Sequence, residues 1–251
     1  MTSLRTFLAR AKRKLLQKPF IKDKRYPAYW FDQLLGDRDA YLVQIGSNDG
    51  KTGDPLYPLL QKHSNWRGLF VEPVPYSFEK LKANYPDPNR FRFENVAINE
   101  GQSLTFYWVD SKAKEALPDL PYWFDQLGSF DKNHILKHFD GALAPFMRSA
   151  ELEGLSLPQL LSRNEVAHIE VLHIDTEGYD WKILSQLDQE RYTPQFILYE
   201  YNHLSEAERK ASFDFLKEKY VLFNLGIDIL ALNRSFGEEV VGQMKRYMKL
   251  V

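Results

Sequence analysis

Short apolar runs alternate with segments of helical periodicity over most of the chain. The predicted strands cover residues 41–45, 66–73, 90–98, 169–174, 196–200, 220–225 and 229–233. The predicted helices cover residues 28–35, 56–62, 76–84, 157–163, 180–187, 205–219 and 238–249. Strand–helix alternation favours right-handed crossovers between parallel strands. We therefore predict an α/β fold whose sheet is mostly parallel and ends in an antiparallel hairpin.

Residues 99–168 interrupt this alternation. One further strand is predicted at residues 103–109, and prolines and glycines punctuate the remainder of the segment. The segment is rich in aromatic residues, namely Tyr107, Trp108, Tyr122, Trp123, Phe124, Phe130, Phe139 and Phe146. Long irregular insertions in compact domains often carry function. We predict that this insertion forms one wall of a binding site.

The composition narrows the class of protein. The chain has 251 residues, of which 44% are hydrophobic and 27% are charged, as in soluble globular proteins. It contains no cysteine, which excludes disulfides and thiolate metal sites and fits a reducing compartment. No apolar run approaches the roughly 18 residues of a membrane-spanning helix. We predict a cytoplasmic protein with one domain over residues 28–251.

The net charge of −1 conceals a strongly basic amino-terminal arm, residues 1–27. Residues 1–25 contain nine Lys or Arg against Asp23 alone, a net +8, so the remainder carries −9. Apolar residues recur there at helical spacing, which predicts a basic amphipathic helix. Such a helix can lie on an anionic membrane surface, or it can be a solvated extension that packs on the domain. No specific nucleic-acid partner is expected.

The first strand ends in a loop of small and polar residues. Residues 41–50 read Tyr-Leu-Val-Gln-Ile-Gly-Ser-Asn-Asp-Gly. In open α/β sheets ligands bind at the carboxyl ends of the strands, and glycines allow close approach of the backbone. The loop lacks the G-x-G-x-x-G dinucleotide fingerprint. The residues predicted to contact a nucleoside-type cofactor here are Gln44, Gly46, Ser47, Asn48 and Gly50.

Two further strand ends complete the predicted cofactor site. Glu72 ends the second strand, where a carboxylate can accept hydrogen bonds from both ribose hydroxyls. Asn95 and Ala97 lie at the end of the third strand, where the topology predicts an adenine edge.

A polar group follows two later strands. Asp175 and Glu177 come directly after the buried strand at residues 169–174, and Glu200 and His203 follow the strand at residues 196–200. If these strands are neighbours, the four side chains converge on one rim. Close carboxylates raise each other's pKa, so one of them could act as a base. The alternative is that Asp175 only caps the next helix and His203 is merely exposed.

Four segments of the chain resemble one family. Residues 174–180, Ile-Asp-Thr-Glu-Gly-Tyr-Asp, are similar to the I-D-V-E-G-x-E motif of the FkbM-type methyltransferases, which use S-adenosylmethionine (SAM). The resemblance extends to residues 101–107, 127–130 and 155–161 and covers about residues 40–233. Two departures are Gln44, where many SAM enzymes have an acid, and Pro158-Gln159, where the family has an acidic pair.

The resemblance implies a Rossmann-like class I SAM-methyltransferase fold, with seven strands and helices on both faces. It also implies O-methylation of a hydroxyl on a sugar, glycan or natural-product acceptor. The catalytic candidates are then Asp175, Glu177, Glu200 and His203, with Asp175 also near the cofactor. A divalent metal bound by the same carboxylates stays open.

Two other functions remain compatible with the sequence. A nicotinamide-dependent oxidoreductase could use a similar sheet, although the incomplete glycine fingerprint argues against it. A catalytically silent adapter could keep the fold and use the basic arm for binding, and the uncharged Gln44 keeps this alternative open.

Overall fold

The computed structural model describes residues 20–121 and 123–251, without the side chains of Phe20 and Asp125. The amphipathic helix predicted for the basic arm therefore lies outside the described residues. The described part of the arm begins with a 3-10 turn at Phe20–Lys22.

The strands of the described residues are β1 (Ala40–Ile45), β2 (Trp66–Val71), β3 (Phe91–Glu94), β4 (Ala97–Ile98), β5 (Leu104–Val109), β6 (Gly128–Ser129), β7 (Met147–Leu152), β8 (Gly154–Leu155), β9 (Val171–Ile174), β10 (Phe196–Glu200), β11 (Tyr220–Asn224), β12 (Asp228–Asn233) and β13 (Lys249–Leu250). The helices there are α1 (Pro27–Leu35), α2 (Tyr57–Lys62), α3 (Pro75–Asn84), α4 (Ala113–Ala116), α5 (Lys132–Leu136), α6 (Leu157–Arg163), α7 (Asp180–Leu184), α8 (Glu206–Leu216) and α9 (Gly237–Met244).

Within the described residues, eight strands form the central sheet in the order β13-β11-β12-β10-β9-β1-β2-β3. Its strands β10, β9, β1, β2 and β3 are parallel to one another, and β12 lies antiparallel between β10 and β11. The predicted α/β class and mostly parallel sheet are confirmed. The predicted seven strands become eight because Lys249–Leu250 adds a short edge strand to β11. The tail helix predicted to reach residue 249 accordingly ends at Met244.

Alternating residues of the central strands supply two cores, one on each face of the sheet. Val43 and Leu172 point to one face, where α6, α7 and α8 pack. Leu42 and Val171 point to the other face, where α1, α2, α3 and α9 pack. The departure at Pro158-Gln159 has a local reason, because Gln159 completes a capping box with Ser156 at the start of α6.

The third predicted strand, residues 90–98, is divided into two. After Glu94 the chain leaves β2, and β4 pairs in parallel with β8 from the insertion. The insertion itself is more regular than predicted, since β6, β5 and β7 form a three-stranded antiparallel sheet. A small core that includes Val109, Leu127, Ile135 and Leu143 lies beneath it. The insertion is thus an ordered layer beside the strand ends.

Among the described residues, every helix is too short or too polar to cross a membrane.

Candidate functional site

A cavity of about 660 Å³ lies at the carboxyl ends of β1, β2, β9 and β10, where the sheet faces the insertion. The sheet side of its lining includes Gln44, Gly46, Ser47, Asn48, Asp54, Glu72, Ala97, His173, Asp175, Glu177, Glu200 and His203. The insertion side includes Phe106, Gly128, Ser129, Phe130, Asn133, His134 and Lys137. The position is where open α/β sheets bind ligands.

The loop after β1 is held tightly against the neighbouring strand ends. Gly46 has φ +79°, and a Cβ there would overlap the carbonyl oxygen of Asp175. The Ser47 hydroxyl donates to the Gln44 carbonyl at 3.0 Å and accepts from the Val71 amide at 3.2 Å. A side chain at Gly46 would therefore push β1 and β9 apart.

Glu72 closes one end of this loop. Its carboxylate accepts from the amides of Asn48 at 2.7 Å and Val74 at 2.8 Å. Burial raises the pKa of Glu72 to about 7, and the charges of Asp175 and Asp49 add to the rise. Asn48 adopts φ +51°, which turns its backbone amide toward this carboxylate. Glu72 is thus buried, held in a fixed orientation, and has a pKa near neutral pH.

Two predicted cofactor contacts do not reach the cavity lining. Gly50 packs under α3, where a Cβ would meet Leu81 and Tyr85, and its carbonyl accepts from the Tyr85 hydroxyl at 2.6 Å. The Asn95 amide donates to the carbonyls of Glu72 and Pro73, at 2.7 and 3.1 Å. Both residues brace the loops, whereas Ala97 does line the cavity.

A buried polar group lies beside the loop after β1. The Gln44 amide nitrogen donates to Asp54 at 2.8 Å and lies 3.0 Å from Nδ1 of His173. The Gln44 amide oxygen is inaccessible and has no hydrogen-bond partner among the described residues. Burial raises the pKa of Asp54, and the neighbouring His173 opposes that rise. Asp54 thus supplies next to Gln44 the carboxyl group that β1 itself lacks.

The four predicted catalytic residues are brought together at the ends of β9 and β10. Nε2 of His203 lies 3.3 Å from a Glu177 oxygen and 3.7 Å from a Glu200 oxygen. We call Glu177, Glu200 and His203 the acid–histidine cluster. Glu200 is buried, and Glu177 and His203 are partly buried. Asp175 lies half-buried in the same lining.

Asp180, at the start of α7, holds the two strand ends in register. One carboxyl oxygen accepts from the Thr176 hydroxyl at 2.9 Å and the Gly178 amide at 3.3 Å. The other accepts from the Glu200 amide at 3.2 Å. Burial raises the pKa of Asp180 well above its usual value, and the charge of Asp175 adds to the rise. The alternative in which Asp175 caps the next helix is not seen, because the N-cap of α7 is Tyr179 and it makes no side-chain capping hydrogen bond.

The insertion adds His134, which the sequence did not assign, and Phe130, one of the aromatic residues predicted for the wall of the site. The ring of His134 lies 5.6 Å from that of His203, and burial lowers the pKa of His134 to about 4. Phe130 packs 5.4 Å from Tyr179, whose hydroxyl donates to Glu100 at 2.8 Å. No motif identifies His134, because only the folded insertion brings it to the strand ends. Asp54 carried a weak signal, an acid among small residues shortly after Gly50.

The sequence-family model for the methyltransferase FkbM domain matches residues 44–229 of this chain. No match is found among curated proteins.

Several solved structures are similar to this chain at low sequence identity. The fibrillarin/Nop5p complex gives a TM-score of 0.41 and 12% identity over 86% of this chain and 82% of that chain. A TehB-like SAM-dependent methyltransferase from Corynebacterium glutamicum gives a TM-score of 0.39 and 8% identity over 84% of this chain and 87% of that chain. A SAM-dependent methyltransferase from Geobacter sulfurreducens, in complex with S-adenosyl-L-homocysteine, gives a TM-score of 0.36 and 10% identity over 78% of this chain and 55% of that chain.

Proposed function

Because the chain belongs to the FkbM methyltransferase domain family, we propose that it is a SAM-dependent O-methyltransferase acting on a hydroxylated sugar, glycan or natural product. The observation that carries the proposal is one cavity lined by two chemically different groups of residues. One is the loop of Gly46 with the buried Glu72, and the other is Asp175 with the acid–histidine cluster.

The residues present fit SAM. Glu72 is positioned to accept from ribose hydroxyls, because its oriented carboxylate lines the cavity. The Gln44 amide oxygen is a buried acceptor without a partner among the described residues, which suits the amino group of the methionine end. Asp54 adds a carboxyl group beside it. Ala97 and its neighbours Val96 and Ile98 supply an apolar edge for adenine.

SAM, when bound, supplies a methyl group on a sulfonium, and it is left as S-adenosylhomocysteine once the acceptor oxygen has taken that methyl. The hydroxyl proton passes to Asp175, whose carboxylate lines the cavity and makes none of the side-chain hydrogen bonds found among the described residues. The acid–histidine cluster orients the acceptor oxygen. Positioning can supply a large part of the rate gain in such a transfer.

The acceptor side is suited to a hydroxylated ligand with an apolar face. Phe130 and Tyr179 form an aromatic pair on the cavity wall, and carboxylates at the strand ends can accept from hydroxyl groups. An aromatic wall with a few convergent polar groups is the usual composition of a small-molecule site.

Incubation of the full chain with methyl-labelled SAM and a panel of glycans and hydroxylated natural products tests the proposal. The expected result is label in an ether of an acceptor, lost in Asp175→Asn and retained in the control Asp119→Asn, which changes an exposed acid. SAM binding without transfer to any acceptor would instead favour a silent adapter. Binding of NAD rather than SAM would favour the oxidoreductase.

A further inference from the structure

The acid–histidine cluster has the spacing of a metal site. One ligand atom each from Glu177, Glu200 and His203 lies within 4.8 Å of the other two. The distances from Nε2 of His203 to the two carboxylates, 3.3 and 3.7 Å, already approach the roughly 3 Å between adjacent ligands on an ion with bonds of about 2.1 Å. The three ligands come from two rigid strand ends, which Asp180 ties together.

A second imidazole, that of His134 on the insertion, lies beside this cluster. Nε2 of His134 is inaccessible to solvent and finds no hydrogen-bond partner among residues 20–121 and 123–251. Its ring stands 5.6 Å from the ring of His203. Buried polar atoms without partners are rare and call for an explanation, and a bound ion is one that fits here.

We propose that Glu177, Glu200, His203 and His134 bind a divalent first-row transition-metal ion. Two carboxylates with imidazoles form a mixed oxygen and nitrogen donor set, which suits Mn²⁺, Fe²⁺, Co²⁺ or Zn²⁺ better than the oxygen-only preference of Ca²⁺ and Mg²⁺. Four protein ligands leave coordination positions open on a six-coordinate ion. The ion orients the acceptor oxygen and fastens helix α5 to the sheet, while Asp175 stays free to take the proton.

This inference rests on the proposed function only for the role of the ion, because binding can be measured without turnover. The test is titration of the full, metal-free chain with Co²⁺, followed by visible absorption and calorimetry. The expected result is one Co²⁺ per chain, with affinity lowered at least about 10-fold by Glu200→Gln and by His203→Asn. His134→Asn should also lower the affinity and change the absorption spectrum. The matched control is His168→Asn, which removes a half-exposed histidine 3.7 Å from Glu170.

Each outcome decides the inference. Substoichiometric Co²⁺ binding by the parent, or equal affinity in His203→Asn and the control, would overturn it. If buried Glu200→Gln fails to fold, the more exposed His203→Asn still provides the comparison, with thermal melts of each variant as a check. SAM calorimetry on the same preparations separates the two claims. SAM binding without Co²⁺ binding rejects the metal site alone, and Co²⁺ binding without SAM binding rejects the proposed function alone.

Discussion

Gly46 and Asp175 lie so close that a Cβ on Gly46 would overlap the carbonyl oxygen of Asp175. This contact joins the loop after β1, predicted to hold the cofactor, to the strand end predicted to carry out the chemistry. The two halves of the site are therefore coupled through backbone atoms, which cannot move aside as a flexible side chain can.

We expect Gly46→Ala to lower both stability and SAM affinity. The positive φ alone costs about 1–2 kcal/mol for a residue with a Cβ, and the overlap with backbone adds to that. The matched control is Gly242→Ala, because a Cβ there has no neighbour within 4 Å. Denaturant unfolding and SAM calorimetry would measure both effects. Parent-like SAM affinity in folded Gly46→Ala would show that the loop does not hold the cofactor.

Glu72→Gln should weaken SAM binding. Loss of hydrogen bonds to a charged acceptor corresponds to about 1.5–3 kcal/mol, or roughly 10- to 150-fold in Kd. In the parent, SAM affinity should also fall as the pH is lowered through about 7, because protonation removes the ionised acceptor. Calorimetry with SAM at pH values on both sides of 7 would check this. If Glu72→Gln showed the same pH dependence of SAM affinity as the parent, Glu72 would be excluded as the source of that dependence.

The stability of the ligand-free protein should depend on the same group. The folded pKa of Glu72, about 7, exceeds the ordinary value of 4.5. Between these values the folded protein holds a proton that the unfolded chain has released, so the free energy of unfolding decreases as pH rises, by up to about 3 kcal/mol. The pKa values of Asp54 and Asp180 are also raised, so these groups add to the same pH dependence. The measurement is therefore a comparison by chemical denaturation, in which the free energy of unfolding of Glu72→Gln should vary less with pH than that of the parent. Identical slopes would contradict the prediction.

Much of this architecture was predictable because it is encoded locally. The family match confirms the resemblance carried by residues 174–180, and the strand bounds at β1, β2 and β10 agree within two residues. Gly50 and Asn95 were predicted to contact the cofactor because they follow strands. Gly50 instead packs against Leu81, and the Asn95 amide donates to the Glu72 carbonyl, so both residues stabilise the loops. His134 was missed because its place depends on long-range packing of the insertion.

Asp180→Ala should destabilise the protein more than Asp180→Asn. Alanine leaves the donors of Thr176, Gly178 and Glu200 without their acceptor, at about 1–3 kcal/mol for each buried group. Asparagine keeps one carbonyl acceptor, so its loss should be smaller. Thermal melts of the two variants provide the comparison. Equal melting temperatures in the parent and Asp180→Ala would show that these bonds do not hold the strand ends.

Removal of residues 1–19 should leave SAM affinity unchanged and weaken association with anionic liposomes. Each base near an anionic surface is worth about 1 kcal/mol. The truncation retains Lys24, an arm residue that lies 5.1 Å from the Tyr247 ring of the domain. Co-sedimentation at low salt is the measurement. Equal co-sedimentation of the full and truncated chains would favour the solvated-extension alternative for the arm.

We propose above all that the cavity lined by Gly46, Glu72 and Asp175 binds SAM for methyl transfer. Calorimetric titration of the full chain with SAM, and separately with NAD, tests it most directly. We expect one SAM per chain, competed by S-adenosylhomocysteine and weakened in Glu72→Gln, with no measurable NAD binding. Saturable NAD binding, or the absence of SAM binding by folded protein, would contradict it.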